Sequence, residues 1–210
     1  MQTDAATILY FSEPGPQNTG ATLEAALKRA RQLGIDDVVV ATDSGKTARQ
    51  VLEHFGPDFH VVAVTNPRGV RLPVARLHDY LPRFREHKQQ LLAQGVTQVP
   101  ASLSDDVVAE LKQAGAVVER LDWQRLAQFT RSGLNDLDRV GVASRVALAV
   151  AVWAYLAGAL AADREAVALA GTGFGGGGAD TALVVRTAAA WRDWRVLETV
   201  ARPRVSPPSE

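Results

Sequence analysis

Short runs of apolar residues, many of them valine, alternate along the chain with segments in which apolar residues recur every three or four positions. Unbroken apolar runs of about five residues are typical of strands covered on both faces, whereas spacings of three and four are typical of helices with one buried stripe. The alternation predicts an α/β fold built from β-α-β units around a mainly parallel sheet. The predicted strands occupy residues 7–11, 38–41, 60–65, 166–170 and 182–186.

Turn residues place the helices between these strands. The first helix carries an apolar stripe from Leu23 to Leu33, and Gly34 follows at the position where a left-handed residue ends a helix. Further helices are predicted at residues 46–55 and 82–94.

One more segment, residues 146–162, has no charged residue and eight alanines in 17 positions. It is shorter than the roughly 20 apolar residues that span a bilayer. We therefore expect a helix that is buried in the protein or at a subunit interface, where small side chains allow close approach. We therefore predict that the protein is a homo-oligomer and that it has no membrane partner.

The composition is that of a globular chain, because 47% of the 210 residues are hydrophobic and 22% are charged. We expect residues 1–202 to form a single α/β domain and residues 203–210, with three prolines and two serines, to be a disordered tail. The chain carries 23 basic and 23 acidic side chains, so it has no net positive charge to attract nucleic acid.

Missing residue types exclude other chemistry. Without cysteine the chain has no disulfide, no thiolate nucleophile and no cysteine-ligated metal. The four histidines lack metal-binding spacing, so no metal site is expected. The first residues lack the basic and apolar regions of a secretory signal, which predicts a cytoplasmic location.

The segment 38–47, VVVATDSGKT, runs from a buried strand into a helix through small hydroxyl residues, glycine and lysine. Unpaired N–H groups and the positive end of the dipole favour anions at a helix start, and hydroxyl groups add hydrogen-bond donors. The segment therefore predicts a phosphate site formed by Thr42, Ser44, Gly45, Lys46 and Thr47.

Two other interpretations of this segment are possible. A nucleotide-triphosphatase P-loop needs a glycine five positions before Gly45, where the chain has Val40, so the loop fits a single phosphate better. A helix cap without a ligand is the simpler alternative, since serine and threonine are common there. Asp43 would also repel an anion if it faced inward.

The second candidate is a glycine-rich segment that precedes the predicted strand 182–186. A dinucleotide-binding fingerprint would open a helix at this point, so the following strand argues against it. We instead expect a loop whose exposed N–H groups can approach a ligand, with a flexible hairpin connection as the alternative. Its candidate residues are Gly171, Thr172, Gly173, Gly176, Asp180 and Thr181.

Both segments follow the carboxyl ends of predicted strands, where open parallel sheets bind their ligands. The loops 12–18 and 65–71 follow strands in the same way. We therefore expect the four loops to line one cleft, and Asn18 and Thr65 join the candidate site residues.

Residues 10–35, 38–48, 61–65 and 170–186 together resemble the pyruvate kinase C-terminal-domain-like family of stand-alone proteins. The resemblance implies a three-layer sandwich with a mainly parallel five-stranded sheet and a late antiparallel strand near residues 195–201. The catalytic barrel of pyruvate kinase has no counterpart in this chain, so transferase activity is not implied.

The resemblance also implies how a ligand binds. Thr42, Ser44, Gly45 and Thr47 would hold a phosphate, and the loop 171–181 would close over it. Flavin mononucleotide (FMN) is the implied cofactor, since its single phosphate suits the short loop. The glycine-rich loop is about two residues longer than in the family, and the alanine-rich helix lacks an acidic residue that the family pattern has.

The leading functional hypothesis is a binding protein for a phosphorylated small molecule, with FMN the best single candidate. An enzyme acting on a phosphorylated metabolite is the alternative, with Lys46, Asp43 or Asp180 as its acid–base group. A structural subunit without a ligand is the third possibility. If the loop binds phosphate, Gly45→Val should block the ligand with little effect on folding.

Overall fold

The computed structural model describes residues 6–77, 79, 81–131, 133–134, 141–173 and 178–204, and these residues form nine strands and six α-helices. The strands are β1 Leu9–Phe11, β2 Asp37–Ala41, β3 His60–Thr65, β4 Arg71–Pro73, β5 Gln98–Pro100, β6 Val117–Arg120, β7 Glu165–Ala170, β8 Thr181–Arg186 and β9 Arg195–Pro203. The helices are α1 Thr19–Leu33, α2 Lys46–Phe55, α3 Pro82–Ala93, α4 Asp105–Gln113, α5 Trp123–Thr130 and α6 Val142–Leu156.

The main sheet contains seven of these strands in the order β1-β9-β8-β7-β2-β3-β6. Four strand pairs are parallel, and β8 pairs antiparallel with both β7 and β9. The predicted α/β class with a mainly parallel sheet is confirmed. The main sheet has seven strands where the resemblance implies five, and its two edge strands, β1 and β6, are short.

The reversed strand is β8, which corrects the prediction of an antiparallel strand near residues 195–201. The glycine-rich loop joins β7 to β8 as a hairpin, so β8 runs against β7. Since β9 is antiparallel to β8, it runs in the same direction as β7, and β1 lies parallel beside it.

Two hydrophobic clusters lie on the two faces of the main sheet. Strand β2 contributes to both, with Val38 and Val40 in one cluster and Val39 in the other, as expected for alternating side chains of a strand. Helices α1, α2 and α4 cover the first face, whereas α5 and α6 cover the second. The predicted three-layer sandwich is therefore confirmed, and the valine-rich runs are buried on both faces.

The alanine-rich helix α6 begins and ends earlier than predicted. It starts at Val142 instead of residue 146 and stops at Leu156 instead of residue 162, because Gly158 takes a positive φ of 84° just beyond it. Its residues from Ala147 to Ala154 are buried, as the small side chains predict. Within the described part of the chain, no helix combines the length and apolarity that crossing a membrane requires.

Two regions follow less directly from the sequence. Strands β4 and β5 form a separate antiparallel pair, and α3 lies between them in the chain. At the other end, β9 continues through Pro203, which pairs with Phe11, and the N–H of Arg204 donates to the Phe11 carbonyl at 2.8 Å. The sheet thus extends into the predicted tail, of which residues 205–210 lie outside the described residues.

Candidate functional site

A cavity of about 340 Å³ opens at the carboxyl ends of the parallel strands. Ala41 at the end of β2 and Thr65 at the end of β3 form its floor, and the loop after β7 forms one side. Val70, Leu72 and Pro100 bring the β4–β5 pair to the lining. The cavity therefore lies where an open parallel sheet binds its ligands.

The loop from β2 to α2 is shaped by its own hydroxyl groups. The N–H of Gly45 donates to Thr42 Oγ1 at 3.1 Å, and the N–H of Lys46 donates to Ser44 Oγ at 3.4 Å. Thr42 is buried, whereas Ser44 is exposed and lines the cavity. The N-cap residue of α2 is Gly45, and no side-chain hydrogen bond caps this helix in the described structure, so the cap that the sequence left as an alternative is not present in these bonds.

Gly45 is required by the turn itself. Its φ is 83°, and a Cβ at this position would lie 2.5 Å from Val107 Cγ1 of α4. A branched side chain would therefore strain the backbone and displace α4. The expectation that Gly45→Val leaves folding almost unchanged is wrong, because the sequence does not reveal that α4 packs against this glycine.

The end of the glycine-rich loop is anchored on the first turns of two helices. The N–H of Gly178 donates to Thr47 Oγ1 of α2 at 2.9 Å, and the N–H of Ala179 donates to Thr19 Oγ1 of α1 at 3.0 Å. Gly178 has a φ of 102°, and a Cβ there would lie 2.7 Å from Pro16 Cα. Thr47 thus couples the predicted phosphate loop directly to the glycine-rich loop.

Asp180 holds this region together from behind the cavity. One carboxylate oxygen accepts from the N–H of Gly15 at 2.8 Å and of Thr172 at 3.3 Å. The other accepts from the hydroxyls of Thr172 at 2.9 Å and Thr181 at 3.2 Å. Burial raises the pKa of Asp180, while these hydrogen bonds act in the opposite direction. The carboxylate therefore ties the β1–α1 loop to the β7–β8 hairpin.

The structure brings together many, but not all, of the predicted site residues. Among the described residues, those that line the cavity are Thr42, Ser44, Thr47, Thr65, Gly171, Thr172 and Gly173. Those placed outside the lining are Asn18, Gly45, Lys46, Asp180 and Thr181. Gly176 lies outside the described residues. Asn18 is turned back on its own loop, where its side-chain amide donates to the Glu13 carbonyl at 2.7 Å.

Asp43 is the acidic group of the described lining. Its carboxylate accepts from Asn66 Nδ2 at 3.2 Å, and the same amide donates to the Ala101 carbonyl at 2.8 Å. Burial raises the pKa of Asp43 from 3.8 to about 6, although the bond from Asn66 lowers it. Asp43 is therefore ready to gain or lose a proton close to neutral pH.

Two residues that the sequence analysis did not assign to the site also line the cavity. Arg145, in the first turn of α6, is half-buried and is the basic side chain of the described lining. Trp123, the first residue of α5, leaves 53% of its surface exposed at the lining. The sequence signal for Arg145 was its position directly before the uncharged segment 146–162. No local pattern indicated that Trp123 would line a cavity.

Two helix starts and charged groups of both signs belong to the lining of the cavity, and we call this part its polar end. Helix α2 begins beside Ser44, and α6 begins at Val142, which also lines the cavity. The N-terminal end of each helix carries a partial positive charge, and Arg145 adds a full one. The Asp43 carboxylate opposes these positive charges when it is ionised, so its effect depends on pH.

The chain matches the model of a known protein family. The family model described as pyruvate kinase, alpha/beta domain matches residues 20–185, which is most of the chain. The matched region runs from the first turn of α1 to β8 and contains both loops, Asp43 and Arg145.

Proposed function

The chain belongs to the pyruvate kinase alpha/beta domain family, and we propose that it is a binding protein for a phosphorylated small molecule, with FMN as the favoured ligand. The observation that supports this proposal is that several candidate binding segments meet at one place. The hydroxyl-rich loop 42–47, the glycine-rich hairpin and the starts of α2 and α6 meet at one cavity.

The polar end of the cavity has the donors that a phosphate needs. The exposed Ser44 hydroxyl and the Thr42 hydroxyl lie in the lining, together with the Arg145 guanidinium. Hydrogen bonds from such groups to a phosphate are charge-assisted and are stronger than those between neutral groups. Thr47 and Asp180 keep the hairpin in place around this end through their own hydrogen bonds.

The other end of the cavity suits a flat apolar ring. Trp123 offers an exposed aromatic face, and Leu121, Val146 and Val150 line the wall beside it. Aromatic side chains pack against planar rings in offset or edge-to-face arrangements. These residues fit FMN, which joins one phosphate to a planar ring system.

Ser44→Ala is expected to weaken FMN binding about tenfold, since a hydrogen bond to a charged group is worth about 1.5–3 kcal/mol. Calorimetric titration of both proteins with FMN measures the change. Ser12→Ala is the matched control, because Ser12 is exposed and lies outside the described lining. Equal affinity in wild type and Ser44→Ala would contradict a phosphate site at this loop, and no binding of FMN or inorganic phosphate would favour a subunit without a ligand.

An enzyme acting on a phosphorylated metabolite is the second candidate, and the raised pKa of Asp43 supports it. A carboxyl group that titrates near neutral pH inside a cavity is suited to general acid–base catalysis. Phosphorus NMR of phosphorylated metabolites would show time-dependent conversion by the wild type that is lost in Asp43→Asn. Stable binding without conversion favours the binding protein.

Asp43 also predicts pH-dependent anion binding. Below about pH 6 the carboxyl is protonated, and above it the added negative charge opposes an anion. Sulfate affinity should therefore fall as the pH rises through about 6, and Asp43→Asn should remove the dependence. Sulfate is a suitable probe because its own charge is constant in this range. Asp106→Asn is the control, since Asp106 is exposed on α4 and outside the described lining. A pH dependence that persists in Asp43→Asn would assign the titration to another group.

A further inference from the structure

A second cavity of about 230 Å³ lies between α5 and α6, and we refer to it as the α5–α6 pouch. The described residues that line the pouch alone are Leu126, Ala127, Thr130, Leu134 and Ala149. Ala127 and Ala149 lie on the two different helices, and their small side chains leave space where larger ones would fill it.

The pouch adjoins the cavity at the strand ends. Both are lined by the same five residues, which are Leu121, Trp123, Arg145, Val146 and Val150. A ligand that extends from the predicted phosphate loop past Arg145 and Trp123 would therefore enter the space between the helices.

The wall of the pouch is suited to hydrocarbon. Thr130 is the only polar residue among the described ones that line the pouch alone, and its hydroxyl donates to the Leu126 carbonyl at 3.0 Å. A ligand group with unpaired donors or acceptors would lose its bonds to water without replacement, which costs free energy. An aromatic or aliphatic group would gain from burial instead.

We propose that the α5–α6 pouch holds the apolar end of a ligand whose phosphate lies at the loop 42–47. The ligand class is then a phosphate monoester of an aryl or short alkyl group, and sugar phosphates are disfavoured. FMN carries an apolar group of this kind, the dimethylbenzene edge of its ring system, at the end remote from its phosphate. Apolar cavities of about 150 Å³ accommodate a benzene ring, so the pouch has the size for one. The inference rests on the proposed phosphate-binding function.

The test compares methyl phosphate, benzyl phosphate and benzyl alcohol by calorimetric titration. Wild type should bind benzyl phosphate about ten- to a hundredfold more tightly than methyl phosphate, as expected for burying one aromatic ring. Ala127→Leu should fill the pouch, reduce this preference to about threefold or less and leave methyl phosphate affinity unchanged. Ala127 is exposed on α5, so the substitution is compatible with folding.

Gln128→Leu is the matched control, because Gln128 is the next residue of α5, is exposed and lies outside both described linings. It should keep the full preference for benzyl phosphate. The inference is overturned if wild type shows no such preference, or if Ala127→Leu retains it, while methyl phosphate still depends on Ser44. Binding of benzyl alcohol with no binding of either phosphate would overturn the proposed function and the ligand class together.

Discussion

Asp180→Ala is expected to lower the free energy of unfolding by about 3–5 kcal/mol. The substitution leaves the buried N–H groups of Gly15 and Thr172 without their acceptor, and each unsatisfied buried group costs about 1–3 kcal/mol. Asp180 is fully buried, so water cannot easily replace the carboxylate. Urea unfolding followed by circular dichroism measures the loss.

Asp180→Asn is the control for this prediction. Asparagine keeps one oxygen for the two N–H groups, and its NH₂ group can donate to the hydroxyls of Thr172 and Thr181, which can accept as well as donate. We expect Asn to retain most of the stability that Ala loses. Equal losses in the two variants would show that the charge, and not the hydrogen-bond geometry, holds the hairpin.

Wild type and Asp180→Asn should also differ in how their stability depends on pH. Burial raises the pKa of Asp180 above its ordinary value of 3.8, so the folded protein holds this proton to higher pH than the unfolded chain does. The contribution of Asp180 to stability therefore falls as the pH rises through the interval between 3.8 and the raised pKa. Asp180→Asn should lack this decrease.

Arg145→Gln is expected to weaken binding of FMN about ten- to a hundredfold. Arg145 is the basic side chain of the described lining and faces both the cavity and the α5–α6 pouch. Losing one charge-assisted hydrogen bond of about 1.5–3 kcal/mol accounts for this range. The titration should be repeated at higher salt, where the difference should shrink because the lost interaction is partly electrostatic.

Two further variants define what this result means. Arg31→Gln removes an exposed arginine at the end of α1 and should leave FMN affinity unchanged. Arg145→Lys should recover part of the affinity, since it restores the charge without the planar guanidinium. A change of less than about threefold in Arg145→Gln would place the phosphate away from α6.

Local patterns were sufficient for two elements that lie on the C-terminal side of the predicted phosphate loop. Strand β3 and helix α2 begin and end at the predicted residues, because apolar runs, helical spacing and a terminal glycine all lie within a few positions of each other. The approach of the loop 42–47 and the glycine-rich hairpin followed from the fold class, not from local spacing. Loops after neighbouring strands of a parallel sheet meet at one edge.

The direction of the last strands did not follow from local information. The segments of β8 and β9 have ordinary strand patterns, and neither pattern shows which neighbour it pairs with. The hairpin between β7 and β8 decides the reversal, so the strand expected to be antiparallel runs with the others.

The sequence by itself determined the α/β class, most elements, and the loop whose hydroxyl groups and helix start could hold a phosphate. Only the tertiary structure decided that Asp180 is a buried clamp, that α4 packs on Gly45, and that Arg145 and Trp123 face the cavity. The bond between Asp180 and Gly15 joins residues 165 positions apart. Helical and strand periodicity depends on residues a few positions apart, whereas burial, pKa and cavity lining depend on contacts between distant segments, which form only when the chain has folded.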